Sequence, residues 1–407
     1  MATRMRGAAT TSVGVSQLAA CSCTHLVYLV HLLGLAAGVL FIRELKRLPS
    51  SMPVFWSAAG LAAIAMAAFL FRVSNPVEAF SDFSKAYWLA GRDVLSGPDA
   101  LEKSMSKGAF GFVNIPIVAY LFVPFGMLEK QAASILFTAI GVGSVVLTWW
   151  LLARMAGLQT LEKALFLFLI AAFGPLAYSL KEGNTTHMVL ALVTGALYVL
   201  RRKREMLAGA LLGIAAVIKL PLLLFGAYFL LRGRWRVVIG GGSILAAVGL
   251  SSVLIFGWDS HLQWYESCVK PYARDPIAAL NVQSIAGALL RFELGPASLL
   301  DWRQHPLSPV SQAIASASTL AILGLAMAAC LAPRPRASRD VGPLITDEVE
   351  FMIVLMIACV ASPLTWSHYY TWMLLPLAFF LGRTPHFASS PSMWAVNWIA
   401  LVAASPV

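Results

Sequence analysis

Several polar clusters stand out in an otherwise apolar chain, and their side chains suit acid–base or anion chemistry. Asp82 lies in Phe80-Ser-Asp-Phe-Ser-Lys-Ala-Tyr87. A carboxylate made more basic by partial burial can take a proton from a hydroxyl, while the same residue type also caps helices and decorates solvated loops. Lys219 interrupts an apolar run two residues before Pro221. A cation at membrane depth is costly and pairs naturally with an anionic group such as a phosphate, although a long lysine also snorkels to an interface. Asn281 and Arg291 end the stretch Asn281-Val-Gln-Ser-Ile-Ala-Gly-Ala-Leu-Leu-Arg291. Arginine's planar fork can grip a phosphate; the plainer alternative is a helix cap followed by a surface arginine. Ser362-Pro-Leu-Thr-Trp-Ser-His-Tyr-Tyr370 gathers Trp366, His368 and Tyr369. Aromatic faces bind the apolar face of a sugar ring and also form interfacial belts, and a lone histidine is commonly structural. Gly183-Asn184 and His187 carry the signals of a helix start.

The elements that must position these residues are membrane helices. Of 407 residues 59% are hydrophobic and only 12% charged, with a mean hydropathy of +0.77. A soluble chain carries roughly 25% charged residues, and about 20 apolar residues span a bilayer. Candidate spans cover 26–42, 53–71, 132–152, 164–180, 187–200, 237–256, 310–331, 351–361 and 370–381, and a last one begins near Met393. The run 206–231 is broken by Lys219 and Pro221 and reads as two short helices. The apolar segment 111–128, with Pro116 and Pro124, reads as re-entrant or interfacial, since a full crossing would invert everything after it. The expected architecture is an all-α polytopic bundle of about twelve membrane helices. It divides into an N-terminal extension with the first span, 1–52, and one membrane domain, 53–407.

Short basic loops set the expected orientation. Arg43-Glu-Leu-Lys-Arg47, Arg201-Arg-Lys-Arg204, Arg232-Gly-Arg-Trp-Arg236 and the group Arg334 to Arg339 belong on the cytoplasmic side. Asp82, Lys181, Asn184, Lys219, Asn281, Arg291 and His368 then fall together on the outer side of a plasma, or inner, membrane. The net charge of +11 is explained by these loops and points to topology, not to nucleic acid. Neither a phosphate-binding glycine loop, a dinucleotide fingerprint nor a His-Glu-x-x-His metal helix occurs, and the five cysteines suggest no disulfide framework.

Taken in order, these segments resemble glycosyltransferase family 87, membrane enzymes of the GT-C class that use polyprenyl-phosphate sugars. The resemblance runs from about Pro53 to Leu381. It is carried by Asp82-Phe83 with Tyr87 and Trp88, by Gly183-Asn184, by Ala215-Ala-Val-Ile-Lys219-Leu-Pro221 with Tyr228-Phe-Leu after it, by Asn281 through Arg291, and by Ser362 through His368. Asn184 stands where the family often has Gln, and Phe112-Val-Asn-Ile-Pro116 replaces a Tyr-Pro-Pro-like run. The resemblance implies a GT-C fold with Asp82 as catalytic base and Lys219, Arg291 and His368 near the donor phosphate.

The expectation is inverting transfer of a sugar, mannose or arabinose, from a polyprenyl-phosphate donor to a glycolipid or glycan acceptor. Tyr87, Asn184, Asn281, Trp366 and Tyr369 are the expected substrate-binding residues. Lysine and arginine can neutralise a monophosphate leaving group, so neither a metal nor a cofactor beyond the lipid-linked sugar is expected, and the protein is read as a monomer in the lipid bilayer. The rival reading is a secondary transporter or lipid flippase, which would use the helix break at Lys219 to bind its cargo.

Overall fold

The computed structural model describes residues 80–171, 173–331 and 343–382, with residues 57 and 60 besides. Over these residues the protein is helical, without a strand and with two isolated antiparallel bridges, Ile277 to Gln304 and Val282 to Trp366. The chain runs through α1 (Trp88–Ser96), α2 (Pro98–Met105), α3 (Lys130–Met155), α4 (Thr160–Ala171), α5 (Gly174–Glu182), α6 (Thr186–Arg201) and α7 (Glu205–Ile218). It continues through α8 (Leu224–Leu231), α9 (Trp235–Trp264), α10 (Ile285–Leu294), α11 (Pro309–Leu331), α12 (Pro343–Val360) and α13 (Leu374–Leu381).

Among the described residues three helical stretches are long and apolar enough to cross a membrane: Lys130–Met155, Trp235–Arg274 and Pro309–Ala328. A fourth joins them if Glu162–Ala171 and Gly174–Glu182, bent by 51°, form one span. That falls short of the dozen expected; the spans proposed at 26–42, at 53–71 and from Met393 lie outside the described residues. The segment 111–128 forms a 3-10 turn, Pro116–Phe122, and a short helix, Val123–Gly126. At roughly 2 Å per residue for a 3-10 helix and 1.5 Å for an α-helix, it reaches about 20 Å, well short of a crossing.

Local chemistry explains the helix ends. Glu129 caps α3 by accepting from the backbone N–H of Gln131 at 3.1 Å and Ala132 at 3.4 Å. Within α3, Ser134, Thr138, Ser144 and Thr148 each donate a hydroxyl to the carbonyl four residues back, at 2.8–2.9 Å, so no hydroxyl donor among them is left bare in an apolar medium. The expected break at Lys219 is present. Lys219 is extended (φ −135°, ψ 95°), and Leu220–Leu223 forms a 3-10 turn before α8. Asn114 Nδ2 donates to the freed Ile218 carbonyl at 2.8 Å.

Helices α7 and α9 pack backbone to backbone. A Cβ on Gly209 would sit 2.0 Å from the Val237 carbonyl, and one on Gly240 would sit 2.1 Å from that of Met206. Small residues at such crossings let helices approach where lipid supplies no hydrophobic drive between them.

Two of the basic loops, read from the sequence as orientation signals alone, also hold ion pairs; the other two, 43–47 and 334–339, lie outside the described residues. Arg201 pairs with Glu348 at 2.8 Å, and Arg234 with Glu205 at 2.8 Å and Asp347 at 2.9 Å. Arg232 pairs with Glu350, which also accepts from Tyr228 Oη at 2.8 Å. Asp347, Glu348 and Glu350 come from the first turns of α12, whose start precedes the expected 351–361 span, and Glu205 opens α7. These pairs join the ends of α6, α7, α8, α9 and α12 at one pole of the bundle. The opposite ends of α6 and α7, roughly 20–24 Å away at 1.5 Å per residue, lie beside the cavity described next.

Candidate active site

A cavity of about 1160 Å³ opens where α5 ends, α6 begins and α7 breaks. Asp82, Tyr87, Asn184, Lys219, Asn281, Trp366, His368 and Tyr369, singled out across nearly 290 residues of sequence, all line it. Arg291 does not.

The Asp82 turn is built by two tetrapeptides locked together. Phe80, a non-glycine residue at φ 62°, donates its N–H to the Lys181 carbonyl at 2.7 Å. The Ser81 hydroxyl donates to Glu182. Asn184 Nδ2 donates to Asp82 Oδ2 at 2.8 Å. Gly183 adopts the left-handed conformation that ends α5 (φ 67°, ψ 39°), and a Cβ there would meet the Phe83 Cβ at 2.6 Å. Asp82 precedes a π-helical turn, Phe83–Tyr87, but makes no side-chain cap to it. Its carboxylate is turned to Asn184 instead, so the capping alternative does not hold. Burial raises its pKa to about 6; the Asn184 hydrogen bond and Lys219 pull the other way, while Glu182 adds to the rise.

The helix-start reading of Gly183-Asn184 is half of the story. Asn184 Oδ1 accepts from the Thr186 N–H at 3.1 Å and its hydroxyl at 2.7 Å, at the start of α6, while the amide's other end holds Asp82. The Nδ1 of His187 and the Ser179 hydroxyl are 2.9 Å apart, and its buried Nε2 faces Gly141 with no hydrogen-bond partner among the described residues.

We expect Gly183→Ala to disturb this contact measurably. A side chain in the left-handed region costs about 1–2 kcal/mol, and the clash with Phe83 adds to it. The thermal midpoint and the turnover should both fall, whereas Gly143→Ala, in open space inside α3, should leave turnover unchanged and the midpoint equal or higher, since glycine in a helix interior costs roughly 0.5–1 kcal/mol relative to alanine. Equal melting curves for the two variants would refute the interlock.

Lys219 is buried, and its Nζ lies 4.8 Å from the centroid of the Tyr369 ring, over its face. The side chain therefore does not snorkel to an interface. Backbone pairing brings the next group in: Gln283 N donates to the Thr365 carbonyl at 2.6 Å and Ser367 N to that of Asn281 at 2.7 Å. This sets Asn281 beside Trp366 and His368. The Asn281 amide is bracketed, donating to Tyr178 Oη at 3.1 Å and accepting from Trp302 Nε1 at 3.2 Å. The His368 ring is near-parallel to those of Trp366 and Tyr178, at 16° and 22°, with centroids 6.5 and 6.3 Å away. Both its ring nitrogens are buried with no hydrogen-bond partner among the described residues. Burial, then Lys219 and His187, hold its pKa well below the usual imidazole range, so it meets a ligand as a neutral group.

Arg291 has a different place from the one expected. Its Nη1 donates to the carbonyls of Ala278, Ala279 and Val282 at 3.3, 3.2 and 2.6 Å. It gathers the backbone of the loop that carries Asn281. Glu182, Tyr178 and Trp302 line the cavity and were not singled out from the sequence. A glutamate ending a helix beside a lysine looks solvated, and the Asn281 bracket joins residues too distant for any spacing to show.

Beyond Lys219 the wall turns apolar, through Leu220, Leu223, Leu224 and Ala227 on one side and Leu323 of α11 on the other. The described residues thus form an all-helical apolar bundle with a carboxylate, a buried lysine and aromatic rings around a cavity that runs into an apolar wall. Residues 112–363 match the sequence profile of glycosyltransferase family 87, and the chain belongs to that family. The matched stretch holds Asn184, Lys219, Asn281 and Arg291; Asp82 and His368 flank it.

The chain is 26% identical over 305 residues to a polyprenol-phosphate-mannose-dependent alpha-(1-2)-phosphatidylinositol mannoside mannosyltransferase of Mycobacterium tuberculosis, an alignment covering 70% of this chain and 65% of the relative. It is 25% identical over 324 residues to a polyprenol-phosphate-mannose-dependent alpha-(1-2)-phosphatidylinositol pentamannoside mannosyltransferase of Mycolicibacterium smegmatis, covering 77% and 73%. The chain thus spans a little under two thirds of the first relative's length. No solved structure matches the chain.

Proposed function

We propose that this protein is a GT-C glycosyltransferase that moves a mannosyl group from a polyprenyl-phosphate donor to a hydroxyl of a cell-envelope glycolipid or glycan. The observation that carries this reading is that Asp82 and Lys219 line one cavity whose wall continues into an apolar cleft. The relatives' use of polyprenol-phosphate mannose favours mannose over arabinose.

In the proposed step Asp82 takes the proton of the acceptor hydroxyl as its oxygen attacks the anomeric carbon. A bond forms from that oxygen to the sugar, and the bond from the sugar to the phosphate oxygen breaks with its electron pair. Attack opposite the leaving group inverts the anomeric centre. Lys219 meets the charge developing on the departing polyprenyl phosphate. Neutral His368 offers a hydrogen bond, and Asn184 holds the base. Tyr87, Asn281, Trp366 and Tyr369 shape the sugar-binding walls, and Arg291 supports them through the 278–282 loop. No metal or cofactor is invoked beyond the lipid-linked donor. The cavity lies at the ends of α6 and α7 away from the basic loops, which supports an outer-face site in the plasma membrane.

The test is release of polyprenyl phosphate from synthetic polyprenyl-phosphate mannose by the purified protein in detergent, with and without a phosphatidylinositol mannoside acceptor. Release counts transfer to any hydroxyl, water included. Movement of the intact donor across vesicles without bond cleavage would instead establish the transporter reading.

A further inference from the structure

Glu182 is a second carboxylate at the cavity, 7% exposed and placed at the last residue of α5. Its oxygens are held from two sides. Lys181 Nζ lies 3.2 Å from Oε1, and the Ser81 hydroxyl donates to Oε2. Ser81 precedes Asp82, and Asn184, two residues beyond Glu182, holds the Asp82 carboxylate. The Phe80 to Lys181 backbone bond completes a register in which 80 meets 181, 81 meets 182 and 82 meets 184.

We infer that Glu182 is a positioning residue for Asp82, fixing the turn that carries it and holding a negative charge behind it. This rests on the reading of Asp82 as the base. The chemistry required is simple. A carboxylate among cations is stabilised as the anion and becomes a poor base. Lys219 faces Asp82 from the α7 break and Lys85 from its own turn, and both favour the anion. Asn184 does the same through its hydrogen bond. Tyr87 from its own turn and Tyr178 and Tyr369 from two other elements also face Asp82, and His368 and His187 face Lys219. Among the groups coupled to Asp82, Glu182 is the one whose charge opposes the cations. Its own pairing with Lys181 allows that charge to stay buried.

The test is the acid limb of the pH profile of kcat/KM for polyprenyl phosphate release from polyprenyl-phosphate mannose, which reports the base in the free enzyme. Asp82 acts ionised, so the rate falls as pH drops through its pKa. Glu182→Gln still accepts from Ser81 but loses the charge, so the limb should move to lower pH by about 0.5–1 unit. Glu182→Asp retains the charge but shortens the reach, so the limb should stay near the parental pH while kcat falls. An unmoved limb in Glu182→Gln, or equal losses at every pH, would overturn the inference. So would failure of both variants to fold, which would make Glu182 a residue of the fold alone. Asp82→Asn separates the two claims: if that variant keeps its turnover, the base assignment fails whatever Glu182→Gln does.

Discussion

Asp82→Asn should lose about 10²–10⁴-fold in turnover, the usual cost of removing a general base, with the fold intact. The replacement is nearly isosteric, and its amide oxygen can accept from Asn184 Nδ2 as the carboxylate does. It makes no helix cap that could be lost. Stability provides the second readout. Burial raises the Asp82 pKa from its usual 3.8 to about 6, so the folded state prefers the protonated form. The stability linked to that proton is complete below the unfolded value and is lost as pH rises through about 6. At neutral pH the ionised carboxylate therefore opposes folding, and the neutral amide should leave the thermal midpoint equal or higher. Low turnover with an undiminished midpoint is the signature of a group kept for chemistry at the expense of stability. Near-parental turnover would remove Asp82 from the mechanism.

Lys219→Met should weaken use of the lipid donor about 10- to 150-fold in kcat/KM. That range follows from the ~1.5–3 kcal/mol of a hydrogen bond to a charged group. Methionine keeps an unbranched chain of similar reach and can rest against the Tyr369 ring, where the ammonium now lies 4.8 Å from the centroid. It also relieves the cost of a buried cation, so the variant should fold as well as the parent or better. Kinetics measured at several donor concentrations, beside thermal unfolding, check both halves. Unchanged kinetics in a folded Lys219→Met protein would leave the lysine as a local packing group.

What could be read from sequence followed the range of the interaction involved. The break at Lys219 was legible because proline and lysine act within a few residues of where they stand. The spans 132–152 and 237–256 were legible because apolar runs are local too; the second ends one residue before the kink at Gly257, which sits at φ 77°. Eight of the nine expected site residues line the cavity, because a polar side chain in an apolar setting advertises itself. Arg291 misled because guanidinium's affinity for phosphate applies equally to carbonyl oxygens, and only the folded loop shows which it meets. Asp347, Glu348 and Glu350 look like the polar flank of a span, yet they lie inside α12 and meet the arginines of loops more than a hundred residues earlier. The whole of 370–381 was expected to be α-helical, but 3-10 geometry runs through Ser367–Met373 and α13 begins only at Leu374.

The interlock of the Asp82 turn with the end of α5 also orders events during synthesis. Its side-chain bonds close loops of 101 and 102 residues. At about 5–20 residues per second of elongation, the Asp82 turn waits roughly 5–20 s for its partner strand of chain to be made. The aromatic wall comes later still, since the bond from Trp372 Nε1 to the Thr186 carbonyl spans 186 residues. The base is thus clasped well before the aromatic wall that shelters it has been made. Shortened nascent chains ending before Asn184 would present Asp82 without its clasp, and the site takes its working shape only when the last helices arrive.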